Sequence, residues 1–311
     1  MRAFVFPGQG AQVLGMGRDL ATTHPAARAV FDEVDEALGE ALSRVIWEGD
    51  AETLTLTRNA QPALMATSIA ALRALEAEGV AVTAAAYVAG HSLGEYSALC
   101  AAGSLSLADA ARLLRIRGEA MQAAVPLGEG AMAAILGLDL AAVVALAAEA
   151  AAEGGTCEAA NDNDPSQVVV SGTRAAVERA AAIAKSRGAK RAIILPVSAP
   201  FHCALMAPAA AVMEAALAGV AIAAPVVPLV ANVIAGPVQE PDAIRALLVR
   251  QVTGSVRWRE SVLWLEAAGV TEAWEIGAGR ALSGMIRRTA PTIAVRAVGT
   301  PDEVAAAARD A

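Results

Sequence analysis

The 311-residue sequence predicts an α/β fold. Short apolar segments alternate with longer segments of helical periodicity along most of the chain. One apolar segment, 84–89, runs into Gly90-His91-Ser92-Leu93-Gly94, and a helical pattern follows directly. Between 130 and 196, strand and helix patterns alternate in the order β-α-β-α-β over about 65 residues. That order predicts a small α+β unit inserted in a larger α/β domain.

The first part of the chain supplies helix boundaries and a glycine-rich turn. The turn is Pro7-Gly8-Gln9-Gly10, directly after a short buried strand. Gln61-Pro62 is a typical helix start, and Gly79 is the matching stop. Ser106-Leu107-Ala108-Asp109 resembles a capping box. The predicted elements are strands at 4–6 and 84–89, helices at 26–42, 61–79 and 106–124, and a helix after the serine motif that ends near 103.

The second part begins with the inserted unit. Its strand patterns lie at 131–136, 167–171 and 191–195, and its helical patterns at 140–153 and 175–186. After Pro196 the chain returns to the larger domain. The predicted elements there are strands near 227–233 and 271–276 and helices at 204–218, 240–252, 256–268 and 279–288. No internal repeat or low-complexity linker interrupts this order.

The composition excludes several classes of function. The chain has 32 acidic and 24 basic side chains, a net charge of −8 and no basic tract, so nucleic acid is not an expected partner. Cys100, Cys157 and Cys203 are widely spaced and form no C-x-x-C motif, which argues against a disulfide framework and a zinc site. A soluble acidic enzyme is the expectation.

The sequence predicts no membrane anchor and a cytoplasmic location. The N-terminal residues are typical of a short strand and lack the layout of a signal peptide. Two long uncharged runs, 192–213 and 215–238, each contain three prolines, which a spanning helix tolerates poorly. Buried strands and loops explain these runs better.

The G-x-S-x-G sequence at 90–94 has the strand-turn-helix context of a nucleophile elbow. On such a turn Ser92 projects its hydroxyl out of the sheet, while Gly90 and Gly94 leave room for close strand–helix contact. The amide of Leu93, at the positive end of the following helix, points to where an oxyanion would form. The alternative is a tight turn in which Ser92 only caps the helix.

A catalytic serine needs a general base, and the chain has three histidines. His24 has the pattern of a surface or capping residue, and His91 is expected to stabilise the elbow through a ring hydrogen bond. His202, in a proline-bounded loop, is the candidate base by elimination; the alternative is a buried histidine that caps the next helix. No acidic residue stands out as its partner, but a backbone carbonyl can orient the imidazole, so a Ser–His dyad suffices.

Arg117 lies in the middle of an apolar helix face. In the helix at 106–124 it is in line with Leu113 and Met121, four residues away on either side, whereas its charged neighbours lie on the opposite face. A buried guanidinium needs an anion. That anion is either a protein carboxylate or the carboxylate of a substrate, which the planar guanidinium can bind through two hydrogen bonds.

Taken together, several stretches resemble the bacterial malonyl-CoA:acyl-carrier-protein transacylases of type II fatty-acid synthesis, a family related to the acyltransferase domains of polyketide synthases. The similar stretches occur in order and cover nearly the whole chain. They are 6–10, 61–64, 90–98, 117–118, 167–172, 196–206, 249–251 and 277–282.

The resemblance implies a fold and a domain division. It implies an α/β-hydrolase-like large subdomain with a parallel sheet, formed by 1–128 and 197–311. It also implies a ferredoxin-like small subdomain, formed by 129–196, which matches the inserted α+β unit.

The resemblance also implies roles for site residues. Ser92 would be the nucleophile and His202 the base, with the backbone carbonyl of Gln251 orienting the imidazole. Arg117 would bind the malonyl carboxylate. The remaining implied site residues are Gln9 and Leu93, whose amides form the oxyanion hole, and His91, Asn161 and Phe201, which support the substrate or the elbow.

The implied activity is transfer of a malonyl group from CoA, through an acyl-serine, to the phosphopantetheine thiol of acyl carrier protein. The CoA thioester is a substrate, so no metal or other cofactor is expected, and malonyl-CoA and acyl carrier protein are the expected partners of a monomer. The alternatives are a discrete malonyl acyltransferase that serves a polyketide synthase, a serine thioesterase or other hydrolase, and a non-catalytic scaffold that docks a carrier protein.

Three features bear on specificity and docking. Phe201 is similar to the malonyl-type pattern, since a bulky residue there would crowd an α-methyl group. The stretch 160–165 is more acidic than the family pattern and is expected beside the cleft, where it would alter affinity for CoA or the carrier. Arg187, Lys190 and Arg191 are candidates for a basic patch that meets an acidic carrier protein, or form a solvated face.

Ala278 replaces the proline of a familiar Gly-Pro-Gly turn, with no expected effect on the chemistry.

Overall fold

Two β-sheets form the framework of the protein. The computed structural model describes residues 1–197 and 199–311. The strands in these ranges are β1 (Arg2–Phe6), β2 (Tyr87–Gly90), β3 (Gly130–Leu136), β4 (Cys157–Asp164), β5 (Gln167–Thr173), β6 (Arg191–Ile194), β7 (Leu229–Ala231), β8 (Gly236–Val238), β9 (Glu272–Ile276) and β10 (Ala294–Val298).

Helices surround both sheets. The α-helices in the described ranges are α1 (Arg18–Thr23), α2 (Pro25–Leu38), α3 (Leu42–Glu48), α4 (Ala51–Thr55), α5 (Thr57–Ala77), α6 (Gly94–Ala101), α7 (Leu107–Ala123), α8 (Leu140–Ala152), α9 (Arg174–Ser186), α10 (Ala207–Ala218), α11 (Pro241–Thr253), α12 (Trp258–Ala267), α13 (Ala281–Thr289) and α14 (Pro301–Arg309). Two short 3-10 helices occupy Val82–Ala84 and Ala204–Met206.

The larger sheet has the strand order β10-β9-β1-β2-β7-β8. Its first five strands are parallel, and β8 pairs antiparallel with β7. Side chains alternate between the two faces, so Phe4 and Phe6 pack in the core that includes α5, whereas Ala3 and Val5 pack against α12 and α13. The carboxyl ends of β1 and β2 lie side by side, with Phe6 opposite Gly90. This edge is where open α/β sheets bind ligands.

The smaller sheet is antiparallel, in the order β4-β5-β3-β6. On its outer face, Ala133 and Val170 pack with α8 and α9. On its inner face, Met132 and Val169 belong to the same core as β1 and α5. The expected α/β fold class with a parallel sheet is therefore confirmed, and the strands at 130–194 form a separate antiparallel sheet.

Strand β4 was missed by the sequence prediction. Its sequence, Cys-Glu-Ala-Ala-Asn-Asp-Asn-Asp, is rich in residues with low strand propensity. The strand pairs with β5, with irregular register after Ala159 and Asp162. Its last five residues are buried, and the strand lies against α12 and α13. Tertiary burial thus overrides the local preference of this segment.

Several boundaries also differ from the prediction. Helix α5 begins at Thr57 and contains Pro62 inside its second turn, although a proline removes one helical hydrogen bond. Most of this helix is buried, which offsets that loss. Helix α2 ends at Leu38, because Gly39 adopts a left-handed φ of 65°. The elements with no counterpart in the prediction, besides β4, are α1, α3, α4, α14, β8 and β10.

The proline-rich uncharged runs fold as short elements, among them β6, α10, β7 and β8. None of the helices in the described ranges has both the length and the apolar character that a membrane span requires.

Candidate active site

Ser92 lies on a turn that only glycines at 90 and 94 can accommodate. Strand β2 ends at Gly90 and α6 begins at Gly94, and Ser92 between them has a left-handed φ of 54°. That conformation costs about 1–2 kcal/mol for a residue with a side chain. A Cβ on Gly90 would lie 1.9 Å from the carbonyl oxygen of Gly94, and one on Gly94 would lie 2.3 Å from that of Phe6. The motif spacing is therefore a packing requirement of the turn.

Asn232, which follows β7, fixes the same turn from the side. Its Oδ1 accepts a hydrogen bond from the Ser92 amide at 2.8 Å, and its Nδ2 donates to the carbonyl of Gly90 at 2.7 Å. The residue is fully buried. Sequence reasoning missed Asn232, although a polar residue at the carboxyl end of an apolar strand is a recognisable signal. The two bonds hold the backbone of the turn immediately before the strained residue.

His202 lies within hydrogen-bond reach of the serine. Its Nε2 is 2.7 Å from Ser92 Oγ. Its Nδ1 is 2.9 Å from the carbonyl oxygen of Gln251 and 3.2 Å from that of Gly254. Since a carbonyl only accepts, Nδ1 carries the proton and Nε2 is left free to accept the serine proton. The sequence shows no acidic partner for His202 and leaves open a Ser–His dyad that a main-chain carbonyl orients. The structure has this arrangement.

The surroundings keep His202 neutral. Burial and the positive charge of Arg117 lower the pKa of His202 to about 3, against the opposing effect of the two carbonyl acceptors. The same loop is strained, because His202 has a φ of 60°. Near neutral pH the imidazole is therefore in the form that can accept a proton.

The guanidinium of Arg117 points from α7 to the same centre. Its Nη2 donates to Ser92 Oγ at 3.1 Å and to Gln251 Oε1 at 2.9 Å, and its Nη1 donates to Gln61 Oε1 at 2.7 Å. Arg117 is only 2% exposed. Its approach depends on Gly118, where a Cβ would lie 2.6 Å from the Cα of Arg58, so α7 packs closely on α5.

No carboxylate of the described residues lies within ion-pair distance of Arg117. Its hydrogen-bond partners are the neutral oxygens of Ser92, Gln251 and Gln61, and burial lowers the pKa of the guanidinium. The sequence left open whether a protein carboxylate pairs with Arg117. Among the described residues none does so directly, and the side chain lines the cavity beside Ser92.

The two predicted oxyanion-hole residues lie in two segments that meet at the elbow. Leu93 immediately precedes α6, and Gln9 lies in the turn after β1. A Cβ on Gly8 would lie 2.6 Å from the carbonyl oxygen of His91, so this turn packs directly on the elbow. Neither the amide of Gln9 nor that of Leu93 donates a hydrogen bond to another described residue. Both amides are thus available to an external acceptor.

The three residues predicted to support the substrate or the elbow, His91, Asn161 and Phe201, also lie beside Ser92 and His202. Asn161 and Phe201 are buried and line the cavity. The His91 ring bonds through Nε2 to Asn163 Oδ1 at 2.8 Å and lies 5.9 Å from the Trp258 ring. His91 therefore connects the elbow to β4 of the smaller sheet. Burial lowers the pKa of His91, so this ring also stays neutral near pH 7.

The stretch 160–165 reaches the cavity through Asn161, but its two carboxylates do not line the cavity. Asp162 and Asp164 are each 1% exposed. Asp162 pairs with Arg259 of α12 at 2.9 Å, and Asp164 pairs with Arg288 of α13 at 2.8 Å. Both carboxylates therefore bind β4 to two helices of the larger sheet, and this pairing gives no support to the expected effect of their charges on affinity for CoA or a carrier.

The side chain of Gln251 and the carboxyl of Glu95 complete the site, and sequence reasoning missed both. Gln251 was expected only through its carbonyl, but its Nε2 also donates to the carbonyl of Ser92 at 3.0 Å and to Glu95 Oε2. The signal for Glu95 was available, since an acidic residue three positions after Ser92 opens a helix that is otherwise apolar or small. Gln251 is therefore the residue that contacts Ser92, His202 and Arg117 together.

These groups line a cavity of about 520 Å³ at the carboxyl edge of the larger sheet. Its walls come from both sheets. The lining residues are Gln9, Gly10, Gln12, Thr55, Gln61, His91, Ser92, Arg117, Met121, Met132, Asn161, Leu195, Pro196, Val197, Phe201 and His202. Within the described ranges, no cluster of three or more His, Cys, Asp or Glu side chains is arranged to hold a metal ion. The site combines a nucleophile, a neutral base, two free amides and an uncompensated cation, which suits acyl transfer of a carboxylated group.

Comparison with known proteins points to the same chemistry. A family model described as acyl transferase domain matches residues 3–295. The chain is 48% identical to the malonyl CoA-acyl carrier protein transacylase of Bacillus subtilis over 302 residues, which are 97% of this chain and 94% of that protein. The similarity therefore spans both sheets and every site residue described above.

Solved structures show the same fold. The acyl-carrier-protein-S-malonyltransferase from Bartonella henselae is 56% identical, with a TM-score of 0.97 over 99% of this chain and 98% of that one. A malonyl-transacylase in complex with its type II PKS acyl-carrier protein is 43% identical, with a TM-score of 0.96 over 100% and 99% of the two chains.

Proposed function

The chain belongs to the acyl transferase domain family, and from this premise we propose that it moves a malonyl group from CoA to the phosphopantetheine thiol of acyl carrier protein. The enzyme is a malonyl-CoA:acyl-carrier-protein S-malonyltransferase of fatty-acid biosynthesis. The observation that carries the proposal is Arg117: a buried guanidinium without a direct carboxylate partner among the described residues, 3.1 Å from the nucleophile.

In the first half-reaction, Ser92 Oγ attacks the carbonyl carbon of the malonyl thioester while its proton passes to His202 Nε2, 2.7 Å away. The amides of Gln9 and Leu93 stabilise the oxyanion of the tetrahedral intermediate. The carbon–sulfur bond then breaks, and the CoA sulfur takes the proton from His202. The products are malonyl-Ser92 and free CoA.

The second half-reaction runs the same steps with a different thiol. The phosphopantetheine thiol enters the emptied cavity and gives its proton to His202, and its sulfur attacks the malonyl ester. Collapse of the intermediate returns the proton from His202 to Ser92 Oγ and releases malonyl-carrier. Because CoA leaves before the carrier thiol enters, the reaction is ping-pong, and His202 serves as the base in both halves. No step changes an oxidation state, so no redox cofactor is required.

Arg117 selects the acyl group. A malonyl carboxylate can accept two hydrogen bonds from the guanidinium, and that contact both orients the thioester at Ser92 and repays the burial of the cation. An acetyl group leaves the cation without an anion. One buried charge-assisted contact of this kind is worth about 2–5 kcal/mol of discrimination.

The acyl carrier protein would approach across β6. Alternation along this edge strand places Arg191 and Ile193 on the face that continues into Leu195, which lines the cavity. Lys190 and Arg191 form no ion pair with another described residue, whereas Arg187 pairs with Glu149. Lys190 and Arg191 are thus the better candidates for contact with an acidic carrier.

The proposal also covers domain division and location. The division into 1–128 with 197–311 and 129–196 is supported by the separate antiparallel sheet of the second unit and by the hydrophobic cluster that its outer face forms with α8 and α9. A cytoplasmic location agrees with three cysteines that are buried and unpaired, as a reducing compartment permits.

A serine hydrolase such as a thioesterase uses the same elbow and is the main rival. Intact mass measured after brief incubation with malonyl-CoA, without an acceptor, separates the two. A transferase gains one malonyl group, and the Ser92→Ala control gains none. Addition of the pantetheine-loaded carrier should then remove the adduct as malonyl-carrier. Malonate accumulation without a persistent adduct would establish the hydrolase, and no adduct with no turnover would refute the catalytic assignment.

A further inference from the structure

Arg117 has a nearby carboxylate that it does not touch. Glu95 lies in the first turn of α6, three residues after the nucleophile, and is 1% exposed. Between the two charged groups lies the side-chain amide of Gln251, also fully buried. The carboxyl group of Glu95 is therefore connected to the guanidinium of Arg117 through one intervening residue, Gln251.

The hydrogen bonds fix which way this amide points. Gln251 Oε1 accepts from Arg117 Nη2 at 2.9 Å. Gln251 Nε2 donates to Glu95 Oε2 and to the carbonyl of Ser92. The other carboxyl oxygen, Glu95 Oε1, accepts from the amide of Asn232 at 3.4 Å. The amide dipole thus aligns its positive end with Glu95 and its negative end with Arg117.

This chain of hydrogen bonds from Arg117 through Gln251 to Glu95 matters because a malonyl carboxylate and an ionised Glu95 would share one cation, Arg117. With Glu95 ionised, Arg117 is compensated through Gln251, and a second anion enters a cavity whose charge is already balanced. With Glu95 protonated, the guanidinium is uncompensated, and a substrate carboxylate is the missing partner. Only the second state gains the full interaction.

We propose that Glu95 competes, through Gln251, with the substrate carboxylate for the charge of Arg117, and that the protonated form of Glu95 is the one that binds malonyl groups. This inference rests on the proposed function. Where Glu95 is ionised before binding, one proton moves from solvent to a Glu95 carboxyl oxygen as the substrate binds, and no other bond is made or broken. Glu95 is a positioning residue, because it acts on the substrate only through Gln251 and Arg117.

The charged and titratable groups around Glu95 agree with this assignment. Burial raises the pKa of Glu95 to about 8, against the lowering effects of its bonds to Gln251 and Asn232 and of the Arg117 charge. Tyr96, beside it on α6, has a pKa raised by burial to about 12. The pKa values of His202 and His91, which face the same centre from the loop before α10 and from the elbow, are lowered. Among these neighbours, Glu95 is the group that changes charge between about pH 7 and 9.

The test measures binding without turnover. Ser92→Ala and Ser92→Ala/Glu95→Gln proteins are titrated calorimetrically with malonyl-CoA from about pH 6.5 to 9. Acetyl-CoA is the matched ligand, because it shares the CoA portion and lacks the carboxylate. For Ser92→Ala, the Kd of malonyl-CoA should rise by up to about tenfold per pH unit above about pH 8, which is the slope for one linked proton. Acetyl-CoA binding should not change with pH, and the double variant should show a flat profile for both ligands.

Proton uptake gives a second readout that needs no change at Glu95. In two buffers of different ionisation enthalpy at about pH 8.5, malonyl-CoA binding to Ser92→Ala should take up close to one proton, whereas acetyl-CoA should take up none. An unchanged profile in the double variant, or no proton uptake by Ser92→Ala, would overturn the role of Glu95. Failure of malonyl-CoA to bind at any pH would instead contradict the proposed function.

Discussion

Two regions of this protein bury charge, and they treat it in opposite ways. At the contact between β4 and the helices of the larger sheet, Asp162 and Asp164 each pair directly with an arginine. Around Ser92, Arg117 is buried just as deeply but touches only neutral oxygens, and its carboxylate neighbour is held one residue away. Charges that hold the structure together are paired inside the protein, whereas the charge that we propose recognises a ligand has no direct carboxylate partner among the described residues.

The energetic consequences should differ in the same way. An ion pair that spans two elements couples stability to both partners, and its loss leaves a buried charge without compensation. An uncompensated cation is already a cost to the folded state, so its loss should spare stability and harm function. This contrast between stability and activity leads to the following predictions.

The largest effect is expected for Arg117→Gln. The substitution keeps a polar side chain and removes an uncompensated buried charge, so Tm should stay unchanged or rise. The value of kcat/KM for malonyl-CoA should fall on the order of 30- to 1,000-fold, as expected for loss of about 2–4 kcal/mol of charge-assisted binding. Steady-state kinetics and thermal unfolding measure the two quantities. If the variant lost stability and activity together, Arg117 would be a residue that stabilises the fold, like Arg259 and Arg288.

The reverse pattern is expected for Arg259→Met. Asp162 would then be a buried carboxylate without its cation, at a position where burial already raises the pKa of Asp162 despite Arg259. The free energy of unfolding should fall by about 2–4 kcal/mol, with a larger loss at higher pH as Asp162 ionises. Urea unfolding at several pH values measures this effect, while kcat should change little. The matched control is Arg44→Met on the exposed surface of α3, which should change stability by less than about 0.5 kcal/mol.

Acid sensitivity should come from the active site. The pKa of His202 is lowered from 6.5 to about 3 in the folded protein. Between these values the unfolded state binds more protons than the folded state, so the stability contributed by the neutral ring is lost as the pH falls below about 6.5. Between about pH 6 and 4, His202→Gln should reduce the slope of the free energy of unfolding against pH. The reduction should correspond to close to one bound proton. Equal slopes in the variant and the parent would show that other titratable groups cause the acid sensitivity.

The smallest effect is expected for an exposed charge. Arg191→Glu on β6 should raise the KM for the acyl carrier protein about three- to tenfold at low salt, with little change in the KM for malonyl-CoA. Raised ionic strength should reduce the difference between variant and parent, because exposed charges are screened. Arg44→Glu, with the same change of charge away from the cavity, is the control. Equal effects of the two substitutions would place the carrier on another surface.

Much of the site could be predicted from the sequence because its signals are local. The elbow is a five-residue pattern with one strand before it and one helix after it. Arg117 interrupts an apolar face that helical periodicity defines within one helix. His202 follows by elimination because the chain has only three histidines.

The remaining parts depend on contacts that sequence periodicity does not encode. Asn232 bonds to the amide of Ser92 across 140 residues of sequence, and Gln251 bonds to Glu95 across 156. Strand β4 has a polar sequence that is stabilised by pairing with β5 and by two arginines from other helices. The sequence marks some of these positions as unusual, but it does not show which distant residue each of them contacts.

We propose that Arg117 is kept without a direct protein carboxylate so that it selects a carboxylated acyl group. The most direct test is a competition for Ser92. The protein is mixed with equal concentrations of malonyl-CoA and acetyl-CoA, and the acyl-enzyme formed is identified by intact mass. The parent should carry malonyl groups almost exclusively, and Arg117→Ala should carry acetyl groups in at least comparable amount. A malonyl preference that persists in Arg117→Ala would contradict the account.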